Sequence, residues 1–295
     1  MDAAEVLETL AVTAWHGPFD AALQRRALTE LEHGKVLVLP ELAFPLAPEE
    51  ADLLHPDVSG RERKNISLDP ATGRLANVAL DPEAAGRLAA MMQRFADAAA
   101  RLLADLLPSY APALEPARTS FRPAEIAGRP TSPRHDDRRL HVDAFPSRPS
   151  GGRRILRLFN NVAPDGAARA WRVGERFEDF APRFLPRTPD PLPGSAWLLQ
   201  RLGITKGRRS AYDHLMLNLH DLGKLDTAYQ ASAPHADVAF PPGTTWLCFT
   251  DQVLHAVLGG HCALERTFHL PVSAMTAPEC SPLHVLERLA GRRLV

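Results

Sequence analysis

His141 and Asp143 stand two residues apart in Arg138-Arg139-Leu140-His141-Val142-Asp143-Ala144-Phe145-Pro146, a segment that alternates as a strand does. In an extended chain, side chains at i and i+2 share a face, so this imidazole and this carboxylate can grip one metal ion together. A third ligand must come from a distant segment. His255 closes Thr245-Trp246-Leu247-Cys248-Phe249-Thr250-Asp251-Gln252-Val253-Leu254-His255, which begins as an apolar strand. Two histidines and one carboxylate on one face of an octahedron leave the opposite positions open, the facial arrangement that holds non-haem Fe(II) and admits O2 with a cosubstrate.

A histidine and an aspartate two apart are a weak signal alone, and His235-Ala236-Asp237 is a second instance. Asp237 lies only 18 residues before His255, about one hairpin, whereas Asp143 lies 112 before it, enough for the intervening strands of a double-sheet barrel. The first pair is therefore read as the ligand pair. His261 competes for the third position but leaves Arg266 only five residues away. Counted from His255, Arg266 comes 11 residues later, room for a turn and an adjacent antiparallel strand. A guanidinium there can hold the far carboxylate of a dicarboxylate in a bidentate grip while the near end chelates the metal. That suits 2-oxoglutarate, whose 2-oxo acid end offers two oxygens to iron.

The elements that must position these groups are legible in the periodicity. Asp20 to Glu32 has helical spacing and is followed by Gly34 as a C-terminal cap, and Lys35 to Leu39 reads as a buried strand. Residues 41 to 80 are rich in turn formers, with Asp69-Pro70-Ala71-Thr72-Gly73 a strong turn signal. Asp81-Pro82-Glu83 is a helix start, and the apolar stripe from Leu88 to Leu106 makes this the longest helix, its stripe backing a sheet. After Pro116 the period changes to two. Strands are expected over 117–123, 138–144, 153–162, 168–173, 236–240, 244–250 and 263–272, with a helical insertion near 209–229 interrupted by Gly223. The expected fold is mainly β with α elaborations, as one domain: a helical support over 1–112, a sheet core over 113–275 and a tail over 276–295.

Composition narrows the class of partner. A chain of 295 residues with 45% hydrophobic content can bury a substantial core, and a net charge of -1 supplies no global basic field for nucleic acid. The N-terminus lacks the basic start and apolar run of an export signal, and no stretch has the length of a membrane span, so a cytoplasmic protein is expected. The three cysteines, Cys248, Cys262 and Cys280, form no C-x-x-C pair and are read as packing thiols.

The constellation resembles the Fe(II) and 2-oxoglutarate dependent dioxygenases, and more closely the bacterial Kdo hydroxylases, which act on 3-deoxy-D-manno-oct-2-ulosonic acid in the inner core of lipopolysaccharide. The resemblance rests on residues 134–146, on Arg153-Arg154-Ile155-Leu156-Arg157-Leu158-Phe159-Asn160-Asn161, on Tyr212-Asp213-His214-Leu215-Met216, on Phe240 to His255 and on Arg266-Thr267-Phe268-His269-Leu270-Pro271. It implies a double-stranded β-helix, the jelly-roll core of the cupin kind, backed by helices. It also implies Fe(II), with 2-oxoglutarate and O2 as cosubstrates, and hydroxylation of Kdo at C3 on a lipid A precursor. Because Asp143 is a carboxylate and not a small residue, hydroxylation is expected over halogenation.

Kdo carries a carboxylate and sits on a phosphorylated lipid, so its site needs cations and hydrogen-bond donors. Arg118, Arg122, Arg134, His135, Arg157 and Arg172 are the candidates, with Trp171 as a pocket wall and Asn160 as a hydrogen-bond donor to 2-oxoglutarate. Alternation would aim Arg118 and Arg122, or Arg157 and Phe159, at one shared face. Arg148 and Arg154 belong to the same local supply of cations, while His214 and His220 are read as structural. Two rival readings are a dioxygenase of another small anionic metabolite or amino acid and a non-catalytic cupin-like metal- or sugar-binding protein. Peripheral contact with the inner membrane and a symmetric homo-oligomer complete the expectations.

Overall fold

The computed structural model describes residues 1–60, 65–69, 72–128 and 131–295. Among them, eleven strands form two sheets: β1 (Leu7–Thr9), β2 (Val36–Leu39), β3 (Ile66–Leu68), β4 (Leu75–Ala76), β5 (Glu115–Arg122), β6 (Arg154–Asn161), β7 (Arg169–Gly174), β8 (His235–Phe240), β9 (Thr245–Phe249), β10 (His255–Gly259) and β11 (Ala263–Leu270). The major sheet runs in the order β1-β2-β9-β6-β11-β5-β3-β4 and the minor sheet in the order β10-β7-β8. Together they form the jelly-roll core of a mainly β protein with helices.

Parity along the major sheet separates two packing layers. Leu156 and Leu158 of β6, Leu247 and Phe249 of β9 and Leu264 and Phe268 of β11 face the helix Pro82–Leu106, whose stripe of Leu88, Met91, Met92, Phe95, Leu102 and Leu103 is fully buried. The opposite face presents Phe159, Trp246 and Cys248 to Trp171, Val173 and Phe240 of the minor sheet. There Phe159 stacks on Trp246, and Trp246 on Phe240 at a centroid distance of 4.2 Å. At about 25 cal/mol per Å² of apolar area removed from water, such rings dominate the cohesion between the sheets. Asp81 caps the long helix by accepting from the Ala84 N–H, with Pro82 in the first turn.

Several expectations need correction. Residues 138–144 do not form a strand. A turn from Asp136 to Arg139 takes up their start, and the backbone of Leu140 is satisfied on both sides by the Gln230 side chain, so only an isolated bridge between His141 and His255 remains. The helical insertion runs as Ala211–Leu225 straight through Gly223, then restarts as Thr227–Ser232 with Asp226 as cap. A Cβ at Gly223 would stand 3.0 Å from the Phe180 ring, so glycine there permits close helix packing and does not break the helix. The tail contains a helix, Pro282–Ala290. Within the expected turn at 69–73, Pro70 and Ala71 lie outside the described residues, while the Gly73 N–H donates to the Asp69 carbonyl.

Candidate metal centre

His141 and His255 are tied to each other through the main chain. Each N–H donates to the other's carbonyl, at 3.0 and 2.9 Å, which brings the two rings to a centroid distance of 4.6 Å. The Asp143 N–H donates to the Thr250 carbonyl at 2.7 Å, fixing the carboxylate beside them. One ligand atom from each of His141, Asp143 and His255 lies within 4.8 Å of the others, so a single ion can touch all three. All three are nearly buried.

The hydrogen bonds also choose the coordinating nitrogens. Nδ1 of His141 lies 2.7 Å from the Arg139 carbonyl and Nδ1 of His255 lies 2.9 Å from the Val253 carbonyl. A carbonyl only accepts, so each Nδ1 carries the proton and each Nε2 keeps a free lone pair. Burial, reinforced for His141 by the neighbouring His255, holds both imidazoles below the ordinary histidine range and therefore neutral. Burial alone would protonate Asp143, but the Arg157 guanidinium holds it ionised, well below the usual carboxylate range. Its buried Oδ2 has no hydrogen-bond donor, although Arg157 Nη1 approaches to 3.2 Å. Two neutral imidazoles and an ionised, under-coordinated carboxylate fit a divalent cation such as iron.

Around the triad lies a cavity walled by Arg122, Asp137, Arg157, Phe159, Arg169, Trp171, Val257, Ala263 and Glu265. Trp171 stacks on the His255 ring at 5.2 Å. Glu265 takes Arg122 Nε at 2.8 Å and stands 3.2 Å from Arg157 Nη1; against its burial, these two arginines keep it ionised. Arg169 differs from them. It is 2% exposed, donates from Nη1 to the Gly260 carbonyl at 2.5 Å, and has no carboxylate in salt-bridge contact among the described residues. Burial, with Arg122 adding repulsion, pulls its pKa down to about 10, so it stays cationic at neutral pH without a direct counter-ion.

The expected residues divide by strand parity. Arg122, Arg157 and Trp171 reach the cavity. Arg118 shares the β5 face of Arg122 but is exposed farther along, donating to Ser67 Oγ at 3.0 Å. Arg134 is exposed and 3.3 Å from Asp221, and the exposed His135 bonds Ser132; neither lines the cavity. Arg172 points out of β7 to Asp237 at 2.8 Å, because its neighbour Trp171 takes the inward position. Asn160 faces the helix layer, where its Nδ2 donates to Thr245 Oγ1 and the Leu42 carbonyl. Arg154 is fully buried against Asp251 and Gln252, away from any substrate.

Arg266 also requires correction. It pairs across the sheet with Leu158 and so sits on the helix side, where Nη1 donates to the Ala117 carbonyl and Thr119 Oγ1 at 2.8 and 2.7 Å. The expected adjacency fails too: β10 pairs with β7 in the minor sheet, whereas β11 pairs with β5 and β6 in the major one, and spacing from His255 could give neither the pairing nor the face. Arg169 went unrecognised, although its position two before Trp171 puts both on one face of β7. Glu265, the inward neighbour of Arg266, is the other omission.

A family model described as 3-deoxy-D-manno-oct-2-ulosonic acid (Kdo) hydroxylase matches residues 14–293. No curated protein matches the chain. Among solved structures, the Kdo hydroxylase KdoO, a non-haem Fe(II) α-ketoglutarate (2-oxoglutarate) dependent dioxygenase in complex with α-ketoglutarate and Fe(III), is 48% identical, with 98% of this chain and 97% of that chain covered and a TM-score of 0.95. KdoO in complex with cobalt(II) is 49% identical over the same shares, also with a TM-score of 0.95. The succinate and Fe(III) complex is 47% identical with a TM-score of 0.94, again over 98% and 97% of the two chains.

Proposed function

Since the chain belongs to the Kdo hydroxylase family, we propose that His141, Asp143 and His255 hold its iron and that Arg169 anchors the distal carboxylate of 2-oxoglutarate. The protein is an Fe(II) and 2-oxoglutarate dependent dioxygenase that acts on Kdo. Its hydroxyl goes to C3 of the sugar on a lipid A precursor, and the enzyme works as a peripheral protein at the cytoplasmic face of the inner membrane. No helix among the described residues is long and apolar enough to cross a membrane.

Iron and 2-oxoglutarate, when bound, would supply the activation of O2, one atom of which ends in the sugar hydroxyl and the other in succinate as CO2 is released from 2-oxoglutarate. The protein's own part is positional and electrostatic. His141 and His255 present unprotonated Nε2 atoms, and Asp143 offsets part of the ion's charge while filling the position a small residue would leave open. Trp171 and Phe159 wall off water beside His255. Glu265 holds Arg122 and Arg157 at the cavity, where they can exchange this partner for the carboxylate of Kdo. Arg169 needs no such exchange, because a buried guanidinium with no salt-bridged carboxylate among the described residues already favours an incoming dianion.

The observation that carries the assignment is this buried guanidinium, with no carboxylate in salt-bridge contact among the described residues, in the same cavity as the triad. Purified enzyme with Fe(II), 2-oxoglutarate and a water-soluble Kdo glycoside should form succinate and a sugar heavier by one oxygen in equal amounts. Succinate formation indifferent to Kdo, with the sugar mass unchanged, would overturn it.

A further inference from the structure

Five of the nine large hydrophobic side chains exposed among the described residues fall within 13 positions: Leu192 at 78%, Trp197 at 58%, Leu198 at 49%, Leu202 at 63% and Ile204 at 54%. Leu198 and Leu202 share the face of the short helix Ser195–Arg201 and its C-terminal turn, with Trp197 beside them. Exposed apolar side chains occur singly on most proteins, but this many within one short segment mark an interaction surface. The same stretch carries exposed Arg201, Lys206 and Arg208.

Both ends of the patch are tied down, one of them to the loop that follows Asp143. His214 Nε2 lies 2.7 Å from the Pro189 carbonyl at one end. At the other, the Lys206 N–H donates to the Ser147 carbonyl at 2.8 Å, and Arg209 Nη2 donates to the Pro146 carbonyl at 2.6 Å. Pro146 and Ser147 follow Asp143 by three and four residues. The apolar stretch is thus the projecting part of a segment attached to the loop that carries a ligand.

We propose that residues 190–209 form the docking surface by which this enzyme seats on an anionic lipid bilayer, with Trp197, Leu198, Leu202 and Ile204 entering the headgroup region and Arg201, Lys206 and Arg208 meeting lipid phosphates. This rests on the lipid-borne substrate of the reading above. Apolar residues bordered by cations match an anionic interface, and a tryptophan at the centre suits the boundary between headgroup and acyl chain. A second copy of this chain fits less well, because the same surface offers three exposed cations, Arg201, Lys206 and Arg208, and only one exposed acid, Asp190, to meet them.

Flotation with vesicles of phosphatidylcholine, with and without about 30% phosphatidylglycerol, tests the surface. The full chain should float with the anionic vesicles, and Trp197→Ser with Leu198→Ser should weaken this at least tenfold; each of Arg201→Gln, Lys206→Gln and Arg208→Gln should weaken it about fivefold. Trp15, Trp171 and Trp246 are buried or half-buried, so a blue shift of emission on anionic vesicles should come from Trp197 and vanish in Trp197→Ser. These variants should keep wild-type turnover of a water-soluble Kdo glycoside and lose it on vesicle-borne Kdo lipid. If the glycoside is turned over but wild type fails to float, or the variants float equally well, or the patch proves by sedimentation to hold a dimer together, the docking surface is wrong while the hydroxylase reading stands. No turnover of either substrate by wild type would instead sink the hydroxylase reading.

Discussion

Arg266 and Leu158 face each other across β11 and β6, one position out of phase with Arg157. That single step puts one guanidinium behind the sheet, under the helix Pro82–Leu106, and the other 3.2 Å from the Asp143 carboxylate. Burial depresses the Arg266 pKa, with Asp97 of the helix opposing the shift. Its role is to satisfy β5 carbonyl and hydroxyl groups in the helix layer.

Arg169→Met should raise the KM for 2-oxoglutarate about 10- to 100-fold, the equivalent of the roughly 1.5–3 kcal/mol of a hydrogen-bonded charge. Arg266→Met should leave that KM within about twofold and lower the melting temperature instead. Succinate release at varied 2-oxoglutarate distinguishes the two, and the reverse pattern would restore Arg266 as the anchor.

His141→Ala and His255→Ala should each abolish Kdo-dependent succinate formation and cut Fe(II) affinity steeply, with the far-ultraviolet circular dichroism unchanged. Both side chains spend their Nδ1 on a neighbouring carbonyl and leave no other partner in need. Wild-type turnover in either variant would refute the ligand set.

Metal-free protein should lose stability as the pH falls below about 6.5. Both imidazoles titrate below their ordinary value when folded, so the unfolded chain takes up protons first; the stabilisation is complete above the unfolded pKa and is lost as pH drops toward the folded one. The slope is about 1.4 kcal/mol per pH unit for each group that titrates. Urea unfolding in chelator at pH 7.5 and 5.5 measures it, and His141→Gln with His255→Gln should flatten it. An equal slope in that double variant would contradict the assignment.

Asp251→Ala should cost about 3–5 kcal/mol, because it strands the Arg154 guanidinium in the interior. Arg154 is 0% exposed, bound to Asp251 at 2.7 Å, and stacked over the Phe249 ring at 3.8 Å. Arg154→Met with Asp251→Leu should recover most of that loss in thermal melts. A neutral Asp251→Ala would show that this pair does not lock β6 to β9.

Periodicity made the long capped helix legible, along with most of the core strands, because each carries an unbroken apolar stripe or alternation. Spacing also isolated the triad. Residues 138–144 alternate like a strand, yet the backbone of Leu140 in their midst is satisfied by Gln230, a partner 90 positions away that no local pattern can reveal. The face of a strand residue depends on register with its neighbours, which is why Arg172, Asn160 and Arg266 looked suitable and turned out to face elsewhere. Arg169 was hidden for a different reason: its signal is the lack of a salt-bridged carboxylate among the described residues, which only the folded chain displays.

The reciprocal main-chain bonds between His141 and His255 have a consequence for how the centre can change. Since peptide groups set the bite between the two imidazoles, lining side chains can be exchanged for a new acceptor without retuning the ligands. Substrate preference and ion loading become separable traits, one written in side chains and the other in the hydrogen-bond ladder.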